Sequence, residues 1–213
     1  MMRGLVLMIG MAVVGAGPEP ADPVRVDPDQ AVFKLDEVGL YRVGVIYRGK
    51  PEEDFPIGWS GPFEDRTGMA LVPDGLRGGR AAVLQHCPWR GGTGTAFQEF
   101  HVQLPTCRRI LLRGATALRD DATGAGKSDG VAFRIKADGE VLLDALRADS
   151  AWKPFEFDLT ARAGRLLVLR FETGPGPRGD AGFDFGLWAD RALVFEGFRP
   201  RAVVHPAPPA PSF

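Results

Sequence analysis

The sequence has little histidine and no surplus of positive charge. It contains three histidines, and His86 and His101 form neither an HxxH nor an HExxH motif, so a zinc site is not expected. Lys and Arg number 26 against 27 Asp and Glu, which leaves a net charge of −1 and no basic excess for binding phosphates. We therefore expect no nucleic-acid partner.

Sequence motifs of several enzyme classes are missing as well. The chain has no GxSxG elbow, P-loop or dinucleotide-binding fingerprint, and the GGTG run at residues 91–94 lacks the lysine of a phosphate loop. A glycosidase needs two facing carboxylates. The candidate carboxylates in this chain are Glu99, Glu156, Asp158 and Glu172. They alternate with apolar residues, which is typical of the solvated face of a strand. We therefore expect a protein that has no catalytic residues and no cofactor. A small enzyme that acts on polysaccharides is kept as an alternative, in addition to the two main hypotheses given at the end of this subsection.

What the sequence does contain is a series of strand patterns separated by turns. In the segment 128–198, Val131, Phe133 and Ile135 alternate with less apolar residues, and Asp138-Gly139 is typical of a tight hairpin turn. Further strand patterns lie at 31–35, 41–47, 69–72, 80–86, 100–104, 109–116, 141–143, 155–159, 166–171 and 183–187. These patterns predict an all-β fold, an antiparallel jelly-roll β-sandwich formed by residues 30–199 as a single domain.

The two ends of the chain differ in composition from this domain. Residues 1–16 combine Met1-Met2-Arg3 with an apolar core at 5–14 and small residues at 14–16, as in a bacterial signal peptide. The apolar core is too short to span a bilayer, and no second apolar span follows. We expect export to the periplasm, the cell surface or the medium; a buried N-terminal strand or helix is the alternative. Residues 17–29 are interpreted as a linker, and 200–213 as a flexible proline-rich tail.

The two cysteines of the chain are Cys87 and Cys107. In an exported protein they predict a disulfide that closes a loop of about 20 residues. The alternative is two separate buried thiols, because cysteine is often simply a small apolar residue.

Several stretches resemble a known group of domains. They are HCPWRGGTGTAFQEFHVQL (86–104), LRGATA (112–117), SDGVAFRIKADGEVLLD (128–144) and FDFGLWADRALV (183–194). Together they are similar to galactose-binding-like jelly-roll domains, and among these to the NPCBM carbohydrate-binding modules. The matching positions are Gly130, Val131, Phe133, Ile135, Asp138 and Gly139 in one strand and turn, and Asp184, Trp188 and Asp190 in another. The resemblance covers about residues 80–198 and implies a secreted sugar-binding module.

A Gly-rich turn offers the residue types that bind sugars. Trp89 could stack on the apolar face of a sugar, and Arg90 could donate hydrogen bonds to its hydroxyls. Gln98, Glu99 or His101 on the outward face of the next strand could complete the site if the strand register brings them near. The alternative is that Trp89 covers the end of the sandwich. For Trp188 we favour packing, whereas Trp152 could also stack and the role of Trp59 is open.

Aspartates in two loops suggest a further, weaker site. If the loops meet, hard oxygen ligands for a structural calcium ion would be available from Asp120, Asp121, Asp129, Asp180 and Asp184. No EF-hand spacing is present, and exposed turn aspartates account for the same residues.

The sequence therefore supports two main hypotheses of function. The first is a secreted, non-catalytic carbohydrate-binding module whose partner is a neutral saccharide or a cell-surface glycan. The second is an envelope protein whose sandwich presents its loops to a protein partner.

Overall fold

The computed structural model describes residues 23–26 and 31–198, and its regular structure is almost entirely β. The strands in chain order are β1 (Val24–Arg25), β2 (Val32–Lys34), β3 (Arg42–Tyr47), β4 (Glu53–Asp54), β5 (Ala70–Arg77), β6 (Arg80–His86), β7 (Gly94–Gln103), β8 (Cys107–Leu118), β9 (Val131–Ala137), β10 (Glu140–Arg147), β11 (Lys153–Asp158), β12 (Leu166–Gly174) and β13 (Phe185–Phe198). Three short 3-10 turns lie at Leu35–Glu37, Asp120–Ala122 and Thr160–Arg162.

The strands form two sheets that pack face to face. Sheet A has the order β10-β9-β12-β7-β3-β4, with β1 beside β7; sheet B has the order β11-β8-β13-β6-β5, with β2 beside β13. All ladders are antiparallel except the short β1–β7 pair. The prediction of an antiparallel jelly-roll β-sandwich is confirmed.

The hairpin β9–β10 shows how directly the sequence encodes this fold. Val131, Phe133 and Ile135 are buried, whereas the residues between them are partly exposed, because successive side chains of a strand point to opposite faces. At the turn, Asp138 and Gly139 have φ values of 51° and 83°, in the left-handed region that a type I′ turn requires. The predicted hairpin is confirmed.

Aromatic rings fill the space between the two sheets. The ring of Trp188 on β13 lies 5.0 Å from that of Phe133 and 5.2 Å from that of Phe171, both on sheet A, in edge-to-face arrangements. Its Nε1 donates a hydrogen bond of 3.0 Å to Thr173 Oγ1. Trp188 is fully buried, so the prediction that it packs in the core is confirmed.

A β-bulge directs one charged side chain into this core. Asp190 has a φ of 53°, the register of β13 shifts there, and the next residue, Arg191, points between the sheets with 1% of its surface exposed. Arg191 Nε donates to Asp36 Oδ1 at 2.7 Å, and Nη1 donates to Gln98 Oε1 at 2.8 Å. Gln98 therefore faces inward, and the prediction that it lies on an outward face is wrong.

The predicted disulfide between Cys87 and Cys107 is also wrong, since both are free thiols. His86, next to Cys87, pairs with Phe185 at the start of β13, whereas Cys107 pairs with Phe198 at its end. Thirteen residues of extended strand separate these two points by roughly 40 Å, and a disulfide needs Cα atoms within about 7 Å. The ten-residue strand β7 carries the chain from one end of the sandwich to the other between the two cysteines.

The predicted terminal segments fall largely outside the described residues. This applies to the signal peptide at 1–16 and to the proline-rich tail at 200–213. Within the predicted linker 17–29, however, β1 pairs with β7 and Val26 is buried, so residues 24–26 belong to the fold. No helix in the described part of the chain is long and apolar enough to cross a membrane.

Candidate functional site

Three exposed aromatic rings lie at one end of the sandwich, where β6 ends and β13 begins. Phe63 and Trp89 are each 46% exposed, and Phe183 is 43% exposed. Trp89 follows β6 closely, Phe183 precedes β13, and the ring of Phe63 lies 5.3 Å from that of His86, the last residue of β6. We call Phe63, Trp89 and Phe183 the aromatic end.

The loop that carries Trp89 is fixed by backbone contacts. The backbone N–H groups of Trp89 and Arg90 both donate to the carbonyl of Thr67, at 3.0 and 2.9 Å. Tyr47 Oη donates to the Arg90 carbonyl at 2.9 Å. The indole packs against Gly68, where a Cβ atom would come within 2.4 Å of Nε1, so this position requires glycine. Trp89 is therefore held in place although nearly half of it is exposed.

Arg90 places a cation on this ring. Its guanidinium carbon lies 4.7 Å from the centroid of the Trp89 ring, and Nη1 donates to the Asp65 carbonyl at 2.5 Å. The Asp65 carboxylate is 3.8 Å away and fully exposed, which makes that ion pair weak. Trp89 and Arg90 thus lie side by side on the surface rather than in the core.

Phe183 is presented by a strained backbone. Its φ is 61°, a conformation that is a genuine outlier for a bulky residue, and it lies in a turn, so the strand predicted to begin there begins instead at Phe185. Lys127 Nζ lies 4.5 Å from the centroid of the Phe183 ring. The aromatic end therefore has a second ring with a cation over it.

A buried carboxylate supports the loops behind Phe183. Asp184 accepts a hydrogen bond of 2.5 Å from Ser128 Oγ and one of 3.3 Å from the Gly176 backbone N–H. Burial raises the pKa of Asp184 to about 6, and the nearby carboxylates of Asp129 and Asp180 act in the same direction.

Asp129, Asp180 and Asp184 lie near one another, but the aspartates considered as calcium ligands are not grouped as a metal site requires. Asp121 is bound by Arg119, with Nε to Oδ1 at 2.6 Å. Arg178 Nε lies 3.5 Å from Asp129 Oδ2 and 3.2 Å from Asp180 Oδ2, so a cationic side chain already lies beside these two carboxylates. Within residues 23–26 and 31–198, no three side chains of His, Cys, Asp or Glu are grouped as a metal site requires. The candidates Asp120, Asp121, Asp129 and Asp184 therefore do not form one site.

The other predicted sugar contacts lie away from the aromatic end. His101 is seven residues along β7 from Gly94, the strand residue at that end, which corresponds to roughly 23 Å. His101 Nε2 forms a 2.9 Å hydrogen bond with Glu99 on the outer face of sheet A. Because Gln98 points into the core, Trp89 and Arg90 are the two predicted contacts that the fold places together.

The sequence analysis missed Phe63, Phe183 and Lys127. Phe63 lies in the Gly- and Pro-rich segment between β4 and β5, where an aromatic residue without a strand pattern was the available signal. Phe183 alternates with Phe185 and was interpreted as a strand residue for that reason. No sequence pattern identifies Lys127 as a site residue; its position over the Phe183 ring results from the tertiary structure.

The remaining tryptophans have packing roles. Trp152 Nε1 donates to the Arg77 carbonyl at 3.0 Å, and the indole packs on Ala82, Leu84 and Leu187 on the outer face of sheet B. Trp59 packs against the core, with its ring 4.9 Å from that of Phe55.

The carboxylates considered as candidates for a glycosidase pair all form ion pairs with cationic side chains. Burial opposes the ionisation of Glu99, but the hydrogen bond with His101 and the charges of Arg170 and Arg42 outweigh it and keep the pKa of Glu99 below its usual value. A general acid of a glycosidase needs the opposite shift. The other three also have cationic neighbours: Arg113 at Glu156, Arg109 at Asp158, and Lys136 at Glu172.

Comparison with known proteins gave few sequence matches. No family model matches the chain. A protein of Archaeoglobus fulgidus, named only as an uncharacterized protein, is 30% identical over 104 residues, which are 44% of this chain and 25% of that protein. The chain thus spans about a quarter of the length of that relative.

Among solved structures, the chain is similar to carbohydrate-binding modules. A CBM51 module from a Clostridium perfringens GH95 protein, solved with methyl-galactose, is 13% identical over 76% of this chain and 99% of the module, with a TM-score of 0.49. A CBM61 module solved with β-1,4-galactotriose is 16% identical over 73% of this chain and 88% of that chain (TM-score 0.45). Tandem CBM51 modules of a Streptococcus pneumoniae family 98 glycoside hydrolase are 12% identical over 81% of this chain and 50% of that chain (TM-score 0.47). All three TM-scores lie below 0.5, so the two-sheet sandwich fold rests on the strand pairing of the chain itself.

Proposed function

We propose that this protein is a non-catalytic saccharide-binding module, and that the aromatic end binds a neutral saccharide or a cell-surface glycan. One observation carries the proposal. Three half-exposed aromatic rings lie at one end of the sandwich, and a cation lies over two of them, Arg90 over Trp89 and Lys127 over Phe183.

This arrangement supplies the two kinds of contact that a sugar requires. A sugar ring has an apolar C–H face that stacks on an aromatic ring and hydroxyl groups that accept hydrogen bonds. The guanidinium of Arg90 and the ammonium of Lys127 are multiple donors located at the rings themselves. Each aromatic contact contributes about 0.5–1.5 kcal/mol beyond the area that it buries, so the affinity for one sugar is modest.

The strained backbone at Phe183 also supports a site here. A bulky residue with positive φ costs on the order of 1–3 kcal/mol, and such strain concentrates at ligand-binding positions. In this chain it keeps a large apolar ring in solvent, next to Lys127, rather than in the core.

We further propose that the protein acts outside the cytoplasm, at the cell surface or in the periplasm or medium. This location agrees with a glycan partner and is supported by the signal-peptide pattern of residues 1–16.

The test is a screen against an array of neutral glycans, followed by calorimetry with the best ligand. We expect Trp89→Ala to weaken binding about tenfold, the loss of roughly one stacked ring, while the circular dichroism and melting temperature stay close to those of the wild type. Leu166→Ala is the matched control, because Leu166 is also about half exposed but pairs with Gln103 at the opposite end of the sandwich.

Two results would contradict the proposal. One is a wild-type protein that binds no glycan on the array. The other is a folded Trp89→Ala variant whose affinity equals that of the control variant.

A further inference from the structure

A groove of about 840 Å³ crosses the outer face of sheet B, away from the aromatic end. One row of residues in this groove runs across the four neighbouring strands β2, β13, β8 and β11. In that order, the row consists of Lys34, Ala192, Arg113 and Glu156. Its apolar surface comes from small or aliphatic residues, namely Ala82, Ala192, Val194, Val32, Pro73 and Pro154. Val32 is 45% exposed, and Pro73 and Pro154 are exposed as well, whereas Ala82 and Ala192 are buried. The apolar surface open to an occupant is therefore formed by Val32 and the two prolines.

The charges that line the groove are balanced. Three pairs of opposite charge lie on its surface: Lys34 with Glu37, Arg80 with Asp190, and Arg113 with Glu156. A fourth pair, Arg191 with Asp36, borders the groove where Arg191 enters the core. A charged ligand would lose its hydration here without gaining an unpaired partner of opposite sign. The groove therefore favours a neutral occupant.

The groove differs from the aromatic end in offering no exposed ring. Phe155 is the one aromatic residue among those that line it, and it is buried against Gly114, where a Cβ atom would meet its ring at 2.4 Å. The partly buried indole of Trp152 packs beside the groove on Ala82, but it is not among the lining residues. The lining residues themselves thus give a sugar no stacking platform, and their apolar surface suits an aliphatic occupant.

The location on a sheet face further restricts the occupant. Backbone N–H and C=O groups of strands lie in the plane of the sheet, where β8, β13 and β6 already pair with each other. A peptide on this face cannot pair its own backbone with the protein, and each N–H that it buried would be costly. A proline-rich peptide has few N–H groups and adopts an extended helix without internal hydrogen bonds.

We propose that residues 202–213 of this chain bind in the groove. This segment, AVVHPAPPAPSF, contains no Asp, Glu, Lys or Arg and has prolines at 206, 208, 209 and 211. Apart from His205 it has no ionisable side chain, most of its side chains are aliphatic, and four of its residues lack an N–H group. It lies outside the described residues, and the proposal rests on its composition and on the groove.

The distances allow the segment to reach the groove. β13 ends at Phe198, and its residues Val194 and Asp190 line the groove four and eight residues earlier. A chain that turns back over β13 must therefore cover roughly 26 Å to reach Asp190. Twelve residues in a polyproline II helix span roughly 37 Å, which is sufficient.

The test uses methyl-labelled full-length protein and nuclear Overhauser effects (NOEs) in NMR. We expect NOEs from the methyl groups of Val203 and Val204 to those of Val194, about 13 Å back along β13 from Phe198, and from the methyl group of Ala207 to that of Ala192, about 20 Å back. The double substitution Val203→Glu and Val204→Glu leaves the sandwich untouched, and it should abolish these NOEs because it brings two unpaired charges to a neutral groove. Val141→Glu with Leu146→Glu on β10 is the matched control, since both residues are exposed on sheet A, and it should leave the NOEs unchanged.

Two outcomes would overturn the proposal. The first is that the wild type shows no such NOEs and the backbone of 202–213 moves on the picosecond-to-nanosecond timescale of a free chain. The second is that the NOEs disappear on dilution, which would assign the contact to the segment of a second copy. Neither outcome bears on glycan binding at the aromatic end.

Discussion

The two outer faces of the sandwich differ in how their polar groups are used. On sheet A the carboxylates of Glu99 and Glu172 are only 5% and 2% exposed, and cations surround both. Arg42 and Arg170 bind Glu99 at 2.8 and 2.7 Å, and Lys136 binds Glu172 at 2.7 Å. On sheet B the groove has a neutral apolar floor with ion pairs around it.

Part of this difference comes from Phe97, an aromatic residue of sheet A that lies beneath the charged side chains of Arg170 and Arg42. Phe97 points to the outer face, yet it is fully buried, because the guanidinium groups of Arg170 and Arg42 lie 4.2 and 5.6 Å from its ring centroid. The ion pairs thus act as a cover over an apolar ring. Sheet A closes its outer face with its own side chains, and sheet B leaves a groove open there.

The largest expected effect comes from breaking the cover of sheet A. Arg170→Met keeps an apolar stem over Phe97 but removes the charge that Glu99 and Glu172 share, and we expect a loss of about 4 kcal/mol in the free energy of unfolding. Urea denaturation at neutral pH measures it. Arg134→Met is the control, because the Arg134 side chain is more exposed and should cost less than about 1 kcal/mol. Equal losses in the two variants would show that the network does not depend on Arg170.

The second prediction compares a paired carboxylate of sheet A with the buried carboxylate behind the aromatic end. The pKa of Asp184 in the folded protein, about 6, is above the ordinary 3.8, so its contribution to stability is full below pH 3.8 and is lost as the pH rises through 6. This rise corresponds to about 3 kcal/mol. Relative to Asp184→Asn, the wild type should therefore lose stability between about pH 4 and pH 7.

Glu99 should show the opposite pH dependence. Its pKa is lowered, so its contribution is present above its ordinary pKa of 4.5 and is lost as the pH falls through the folded value. Relative to Glu99→Gln, the wild type should lose stability on acidification. Parallel pH profiles for the two variant pairs would contradict the assigned environments.

A third, smaller effect should distinguish the faces by their response to salt. Raising the salt to about 1 M shortens the screening length to about 3 Å, and the partly exposed pairs of sheet A should then lose about 1 kcal/mol in total. Melting temperatures of the wild type and of Arg170→Met, at low and high concentrations of sodium chloride, measure this. The variant should respond less, since it lacks the cation that joins Glu52, Glu99 and Glu172. An identical response would mean that these pairs contribute no screened electrostatic energy.

The smallest effect is expected for a charge introduced into the groove. Val32→Lys places a long side chain on the outer face of sheet B at a residue that is 45% exposed, and it should change the free energy of unfolding by about 0.5 kcal/mol, as at ordinary surface positions. Ala96→Lys is the contrasting variant, since Ala96 is fully buried on the inner face of sheet A and has no space for the new side chain. Chemical denaturation that finds Val32→Lys as damaging as Ala96→Lys would show that the groove is closed in solution.

The strands and one part of the site could be predicted from local patterns. β6 was predicted with its observed ends, and the β9–β10 hairpin with its turn, because period-2 alternation and an Asp-Gly turn act within a few residues. Trp89 and Arg90 were found because they are adjacent in the chain. The observed β7 is longer than predicted, with five consecutive buried residues at 96–100, because both of its faces are covered and the alternation is masked.

The sequence by itself determined the fold class, the hairpin turn and the Trp89-Arg90 pair, since each depends on neighbouring residues and on the fixed geometry of the strand. Tertiary structure alone decided which distant residues meet. It placed Cys87 and Cys107 at opposite ends of β13, turned Gln98 inward toward Arg191 and brought Lys127 over Phe183. The physical reason is that a ten-residue strand carries the chain over roughly 33 Å, from one end of the sandwich to the other. The separation of two residues in the sequence therefore does not determine the distance between them in the folded protein.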